Sequence, residues 1–144
     1  MQATAASSAR PLHIALMTIY SVENAGIRYL SAALQRAGFE TTIIFLRDWR
    51  HNRLVLPPDE EIEMALEIIR DKGADLVGLG FMSSLFSMAN EVTQRIKERF
   101  PDTPVLWGGI HATSVPEECI PHVDYLCVGE GEMAIVDLAE AVRD

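Results

Sequence analysis

Five short apolar runs, separated by segments whose apolar residues recur at helical spacing, constrain this chain more than any other feature. The runs are residues 13–18 (HIALMT), 41–46 (TTIIFL), 75–81 (DLVGLGF), 104–107 (PVLW) and 125–128 (YLCV). Runs this short and this continuously apolar mark strands buried on both faces. Between them lie helical stripes: Ile27, Leu30, Ala33, Leu34 and Ala37, then Ile62, Ala65, Leu66 and Ile69. Two more follow: Leu85, Met88, Ala89, Val92 and Ile96, then Ile135, Leu138, Ala139 and Val142. Gly38 and Gly73 stop the first two helices, and Asp59 is expected to cap the second, with Glu60 and Glu61 in its first turn. Right-handed crossovers then require the strands to run parallel. The expected fold is α/β: a flavodoxin-like, doubly wound, five-stranded parallel sheet of order 2-1-3-4-5 with helices on both faces.

A chain of 144 residues closes one core. Residues 1–11, rich in Ala, Ser and Thr, read as a flexible N-terminal tail, and residues 12–144 as a single domain. Twelve basic against 21 acidic residues leave a net charge of −9. That balance excludes a nucleic-acid surface and an anionic-lipid surface, both of which draw affinity from clustered Lys and Arg. No run approaches the roughly 20 apolar residues that span a bilayer. Cys119 and Cys127 match neither CxxC nor CxxxCxxC and form no disulfide framework, so they are expected as reduced thiols in a cytoplasmic protein. Cys127 falls inside a strand as a core residue, and Cys119 could be exposed, with nothing nearby to lower its pKa.

Sheets of this kind bind ligands outside the carboxyl ends of their strands, where strand order reverses. Four loops meet there. The first offers Tyr20, Ser21, Val22, Glu23, Asn24 and Gly26. The loop after strand three offers Met82, Ser83, Ser84 and Leu85, where a serine either caps the next helix or turns its hydroxyl to a ligand. After strand four come Gly108, Gly109, Ile110, His111 and Ala112. Paired glycines either satisfy a tight turn or let a large ligand lie against the backbone. After strand five come Gly129, Glu130 and Gly131, with Glu132 next; these carboxylates suit a helix start and a ligand amide, hydroxyl or cation, not a phosphate.

His111 is expected as a contact residue, not a metal ligand, and His13, His51 and His122 lack ligand spacing. Phe81 and Trp107 either belong to the core or flank the ligand, and Trp49 could cover the pocket or meet a neighbouring domain. There is no GxSxG, no P-loop and no GxGxxG after strand one.

These residues resemble a known family. Cobalamin-binding domains of this fold carry DxHxxG after strand one, SxL after strand three and GG after strand four. Ser83-Ser84-Leu85 fits SxL and Gly108-Gly109 fits GG, but counting back from Gly26 puts Ser21 and Glu23 in the places of Asp and His. The chain therefore resembles the N-terminal cobalamin-binding domains of cobalamin-dependent radical-SAM enzymes, which lack that lower axial histidine. They share the run Trp107-Gly108-Gly109-Ile110-His111-Ala112-Thr113, followed by Val123-Asp124-Tyr125 and Gly129-Glu130-Gly131-Glu132. The resemblance implies cobalamin held base-off and His-off, its tail buried beside the sheet, and presented to a downstream radical-SAM domain for methyl transfer or related chemistry. Any iron–sulfur cluster and S-adenosylmethionine would belong to that downstream domain, so this chain would be a segment of a longer protein.

The competing reading is a cofactor-free interaction domain of the same fold. A receiver domain would need an acidic pair after strand one and an Asp ending strand three, where Thr18-Ile19-Tyr20 and Phe81-Met82 stand. A flavodoxin-like carrier would need a phosphate loop where residues 19–26 stand.

Overall fold

The computed structural model describes residues 10–21, 23–47 and 55–144. Its five strands are β1 (His13–Ile19), β2 (Glu40–Leu46), β3 (Leu76–Gly80), β4 (Val105–Gly108) and β5 (Tyr125–Leu126). They form one sheet in the order β2-β1-β3-β4-β5, every pair parallel. The helices are α1 (Ala25–Arg36), α2 (Asp59–Lys72), α3 (Phe86–Arg99), α4 (Ile110–Ser114), α5 (Pro116–Cys119) and α6 (Glu132–Arg143). The expected fold is present. Val22, Trp49, His51 and residues 1–9 lie outside the described residues.

The two-residue period of a strand divides the core in two. Ala15, Met17 and Ile19 of β1 point to one face, where they pack with Val77, Leu79, Val105 and Trp107 beneath α2 and α3. Ile14 and Leu16 point to the other, where they pack with Leu76 and Leu106 beneath α1 and α6. All of β1 is buried, as a central parallel strand requires.

Local chemistry sets the helix ends. Asn24 caps α1 by accepting from the Ile27 N–H (3.1 Å), and Gly73 ends α2 in the left-handed conformation (φ 62°). Asp59 lies inside α2 and Pro58 takes the cap position, so the acidic first turn acts on the helix dipole without a side-chain cap. Neither Ser83 nor Ser84 caps α3. They form a short 3₁₀ turn with Leu85, which itself stands at the cap position of α3. The loop expected after β4 is instead the short helices α4 and α5. Cys119 is fully buried against the α2/α3 face, not at the surface, because α5 folds back onto the sheet.

One polar pair sits deep in that face. The Trp107 indole donates to Thr93 Oγ1 (2.9 Å), and both residues are fully buried. Thr93→Val keeps the shape but strands a buried N–H, so stability in a urea titration should fall by about 1–3 kcal/mol. An unchanged midpoint would mean that the indole finds another acceptor.

Candidate functional site

The strand register builds the site. On the α1/α6 face, Leu16 lies beside Gly78 and Gly78 beside Leu106. One step toward the carboxyl ends, Thr18 lies beside Gly80 and Gly80 beside Gly108, so that row carries no side chain larger than threonine. A Cβ at Gly80 would have its nearest neighbour 3.9 Å away, and one at Gly108 would have it at 3.6 Å, on Cys127. Both are ordinary van der Waals distances, and both glycines line the space above them. There the α1/α6 layer stands off the sheet and leaves a cleft of about 400 Å³.

Leu16, Ile27, Leu30, Leu106 and Ile135 form the walls of this cleft, with Cys127 beside the Gly108 floor. Of the expected residues, Asn24, Gly26, Gly108 and Gly109 line it, as do Gly129, Glu130 and Gly131 from the last loop. A second, smaller hollow of about 230 Å³ opens on the carboxyl-end edge. Tyr20, Ser21, Met82, Ser84, Leu85 and Ile110 line it. The two share Asn24, Gly80 and Gly109, so they form one continuous depression. Among the described residues no Lys, Arg or His lines either part.

Backbone conformation shapes the rim. Gly109 has φ 97°, and a Cβ there would sit 3.5 Å from the Phe81 nitrogen and 3.6 Å from its carbonyl oxygen, against the end of β3. Tyr20 also has a positive φ (57°), uncommon for a bulky residue and a mark of stored strain. Its ring is buried on the α2/α3 side, and its hydroxyl donates to the Val55 carbonyl (2.7 Å). Tyr20 therefore bends the chain out of β1 without offering a free hydroxyl to the hollow.

The loops after β4 and β5 are latched by Thr113, whose hydroxyl donates to the Gly109 carbonyl (2.9 Å) and accepts from the Gly129 N–H (3.0 Å). His111 is buried among Phe81 and Phe86, with Nδ1 2.9 Å from Ser83 Oγ and Nε2 without a partner among the described residues. Which of the two donates in the His111–Ser83 bond depends on the ring tautomer. Ser83 is exposed, His111 and Ala112 are buried, and none of the three lines either hollow; Glu23 is exposed outside both. Val22 lies outside the described residues. Met82, Ile110, Val128 and Met133 leave an exposed apolar border at the same end of the sheet.

Phe81 and Trp107 belong to the core, where their rings meet edge to face at 4.8 Å. His122 stacks on Trp107 at 5.8 Å, and His13 bonds Thr42 through Nε2 (2.8 Å). Among the described residues no group of three or more His, Cys, Asp or Glu could hold a metal ion. No described helix is long and apolar enough to cross a membrane. Sequence reasoning missed Gly78 and Gly80, although two glycines one residue apart in a strand must open the same face. It also read Cys127 as a core residue. β5 ends at Leu126, and Cys127 is half-buried on the cleft wall, its N–H still bonded to the Trp107 carbonyl (2.8 Å).

Comparison with known proteins adds a family. The family model described as the B12 binding domain matches residues 14–139. The anaerobic magnesium-protoporphyrin IX monomethyl ester cyclase of Rubrivivax gelatinosus is 28% identical over 121 residues, 82% of this chain and 20% of that protein. The chain thus spans about one fifth of the length of that curated relative. Among solved structures, a cobalamin-binding protein from Desulfitobacterium hafniense DCB-2 superposes with a TM-score of 0.67 at 14% identity, over 91% of this chain and 58% of that one. A response regulator from Thermotoga maritima reaches 0.58 at 17% identity, over 91% and 98%. These two likenesses show the fold.

Burial, and then the neighbouring Glu132 carboxylate, push the Cys127 thiol above the ordinary thiol range. Its thiolate is therefore scarce at pH 8, and iodoacetamide should label it more slowly than the unfolded chain, faster as pH rises. Glu132→Gln should speed labelling, though less than unfolding does, because burial is the larger cause. Labelling as fast as in urea would contradict the cleft-wall position.

Proposed function

The chain belongs to the family of B12-binding domains, and on that premise we propose that it holds cobalamin base-off and His-off and presents it to a downstream catalytic domain of the radical-SAM type. The observation that carries this reading is the bare row Thr18, Gly80, Gly108 beneath α1 and α6. A cleft of about 400 Å³ with aliphatic walls accepts a flat, apolar group of the size of the cofactor's detached base. A Cβ at Gly80 or Gly108 would project into that space, which is the fit a buried cofactor tail requires.

The roles divide by position. Leu16, Ile27, Leu30, Leu106 and Ile135 take apolar surface out of water. Gly109 lets the corrin side approach the backbone, and Met82 and Ile110 offer exposed apolar contact to the macrocycle. Ser83, exposed and bonded to His111, would offer its hydroxyl to a polar group of the cofactor. Glu130 and Glu132 would suit the cofactor's amides and would repel its phosphodiester. Bound cobalamin supplies methyl-transfer or radical chemistry at its cobalt.

His-off binding is supported by loop one, where Glu23 stands in the histidine place and is exposed. Among the described residues no histidine lines either hollow, and His111 Nδ1 is bonded to Ser83. Presentation to another domain is supported by the relative's length, since the matched segment fills only 20% of that cyclase. Residues 12–144 would then form the cofactor-holding domain of a longer cytoplasmic protein, with the iron–sulfur cluster and S-adenosylmethionine held elsewhere in it.

The protein mixed with hydroxocobalamin should retain the pigment through gel filtration, with an absorption spectrum lacking nitrogen ligation of the cobalt. Gly80→Val and Gly108→Val should keep the fold by circular dichroism but lose at least ~tenfold in affinity as their side chains fill the cleft. Colourless wild-type protein would favour the cofactor-free interaction domain, and a nitrogen-ligated spectrum would overturn His-off binding.

A further inference from the structure

Cobamides share the corrin ring and differ in the base at the end of the nucleotide tail, which is a benzimidazole, a purine or a phenol. The cleft has a chemistry that discriminates among them. Its walls are leucine and isoleucine, and among the described residues no Ser, Thr or Tyr hydroxyl lines it. Its one amide, on Asn24, has its oxygen engaged by the Ile27 N–H as the cap of α1. Glu130 and Glu132 line it too, but both are exposed, so their carboxylates stay in water at the mouth. The Asn24 amide N–H groups and the Cys127 thiol, a weak donor 3.9 Å from the Glu130 carbonyl, are the remaining polar side-chain groups among the described lining residues, too few to satisfy a purine.

We infer that this cleft selects cobamides whose lower base is apolar, benzimidazole or phenolic, and rejects those with a purine. The inference rests on the cobalamin reading and deepens it. A dimethylbenzimidazole presents methyl groups and a carbocyclic edge to Leu30, Leu106 and Ile135. Adenine would bring an exocyclic amine and two further ring nitrogens into the same place. Buried polar groups without partners lose their hydration and regain nothing, so each weakens binding. A site without matching polar groups penalises the polar ligand by this route, the inverse of a hydrogen-bonding pocket rejecting an apolar one.

The test is a binding titration of the purified protein, read by absorbance and by quenching of intrinsic tryptophan fluorescence. Four ligands are compared: cobalamin, a cobamide with a phenolic lower group, adeninyl cobamide, and cobinamide, which has no base. Cobalamin and the phenolic cobamide should bind within a few-fold of each other, adeninyl cobamide at least ~tenfold more weakly, and cobinamide more weakly than cobalamin. Equal affinity for adeninyl cobamide and cobalamin would overturn the selectivity and leave the cofactor reading standing. Failure of all four to bind would overturn the cofactor reading itself. Cys127→Ser is the second variant: it places a hydroxyl on the wall at nearly constant volume and should narrow the preference over adenine several-fold. An unchanged ratio in that variant would place the discrimination outside this cleft and overturn the assignment.

Discussion

A parallel sheet must be covered on both faces, and in this protein the two faces meet that demand differently. Beneath α2 and α3 the rows end in Ile19, Phe81 and Trp107, and the layers interdigitate to the carboxyl ends of the strands. Beneath α1 and α6 the last row is Thr18, Gly80 and Gly108, with nothing to fill the gap. Glycine inside a strand loses backbone entropy and packs no side chain, a cost of roughly 0.5–1 kcal/mol each relative to alanine. The sheet bears that cost twice where the two facing strands adjoin. The other face carries the stability that permits it, through fully buried Met17, Ile69, Ile96 and Trp107.

This asymmetry explains what was legible in the sequence. The strand order and both helix layers follow from apolar runs and helical stripes, because burial dictates them directly. The positions of Gly108 and Gly109 were legible as a pair after a strand. The alternation in Val77-Gly78-Leu79-Gly80 was equally visible, but it gains meaning only in register with β1 and β4, which sequence periodicity does not give. The full burial of Cys119 and the half-burial of Cys127 at the edge of the α1/α6 core were hidden for the same reason. The extent of β5 and the fold-back of α5 are set by packing between elements distant in sequence.

Polar groups around the depression are largely spent within the protein. Asn24 caps α1, Tyr20 bonds Val55, Thr113 latches two loops, and His111 orients Ser83. Such self-satisfied contacts fix the rim in place before any ligand arrives, which lowers the ordering cost of binding. They also leave few side chains free to grip a ligand. Recognition then falls to shape, to backbone N–H groups on glycine loops and to apolar burial.

That division bears on the absent lower histidine. In the proposed reading, a domain that ligates cobalt from below gains affinity at the metal, and that ligand also constrains the metal's electronic state. On that reading, with Glu23 exposed at the histidine place, affinity would have to come from the tail in the cleft and from the corrin on the apolar border of Met82 and Ile110. Holding power would then lie away from the cobalt. The metal's lower face would be left to the reaction of a partner domain, while the identity of the cofactor would be decided some distance off, between α1, α6 and the glycine row of the sheet. Cofactor selectivity and cobalt reactivity would be separable properties under this proposal, one set by Leu30, Leu106 and Ile135, the other by loop one.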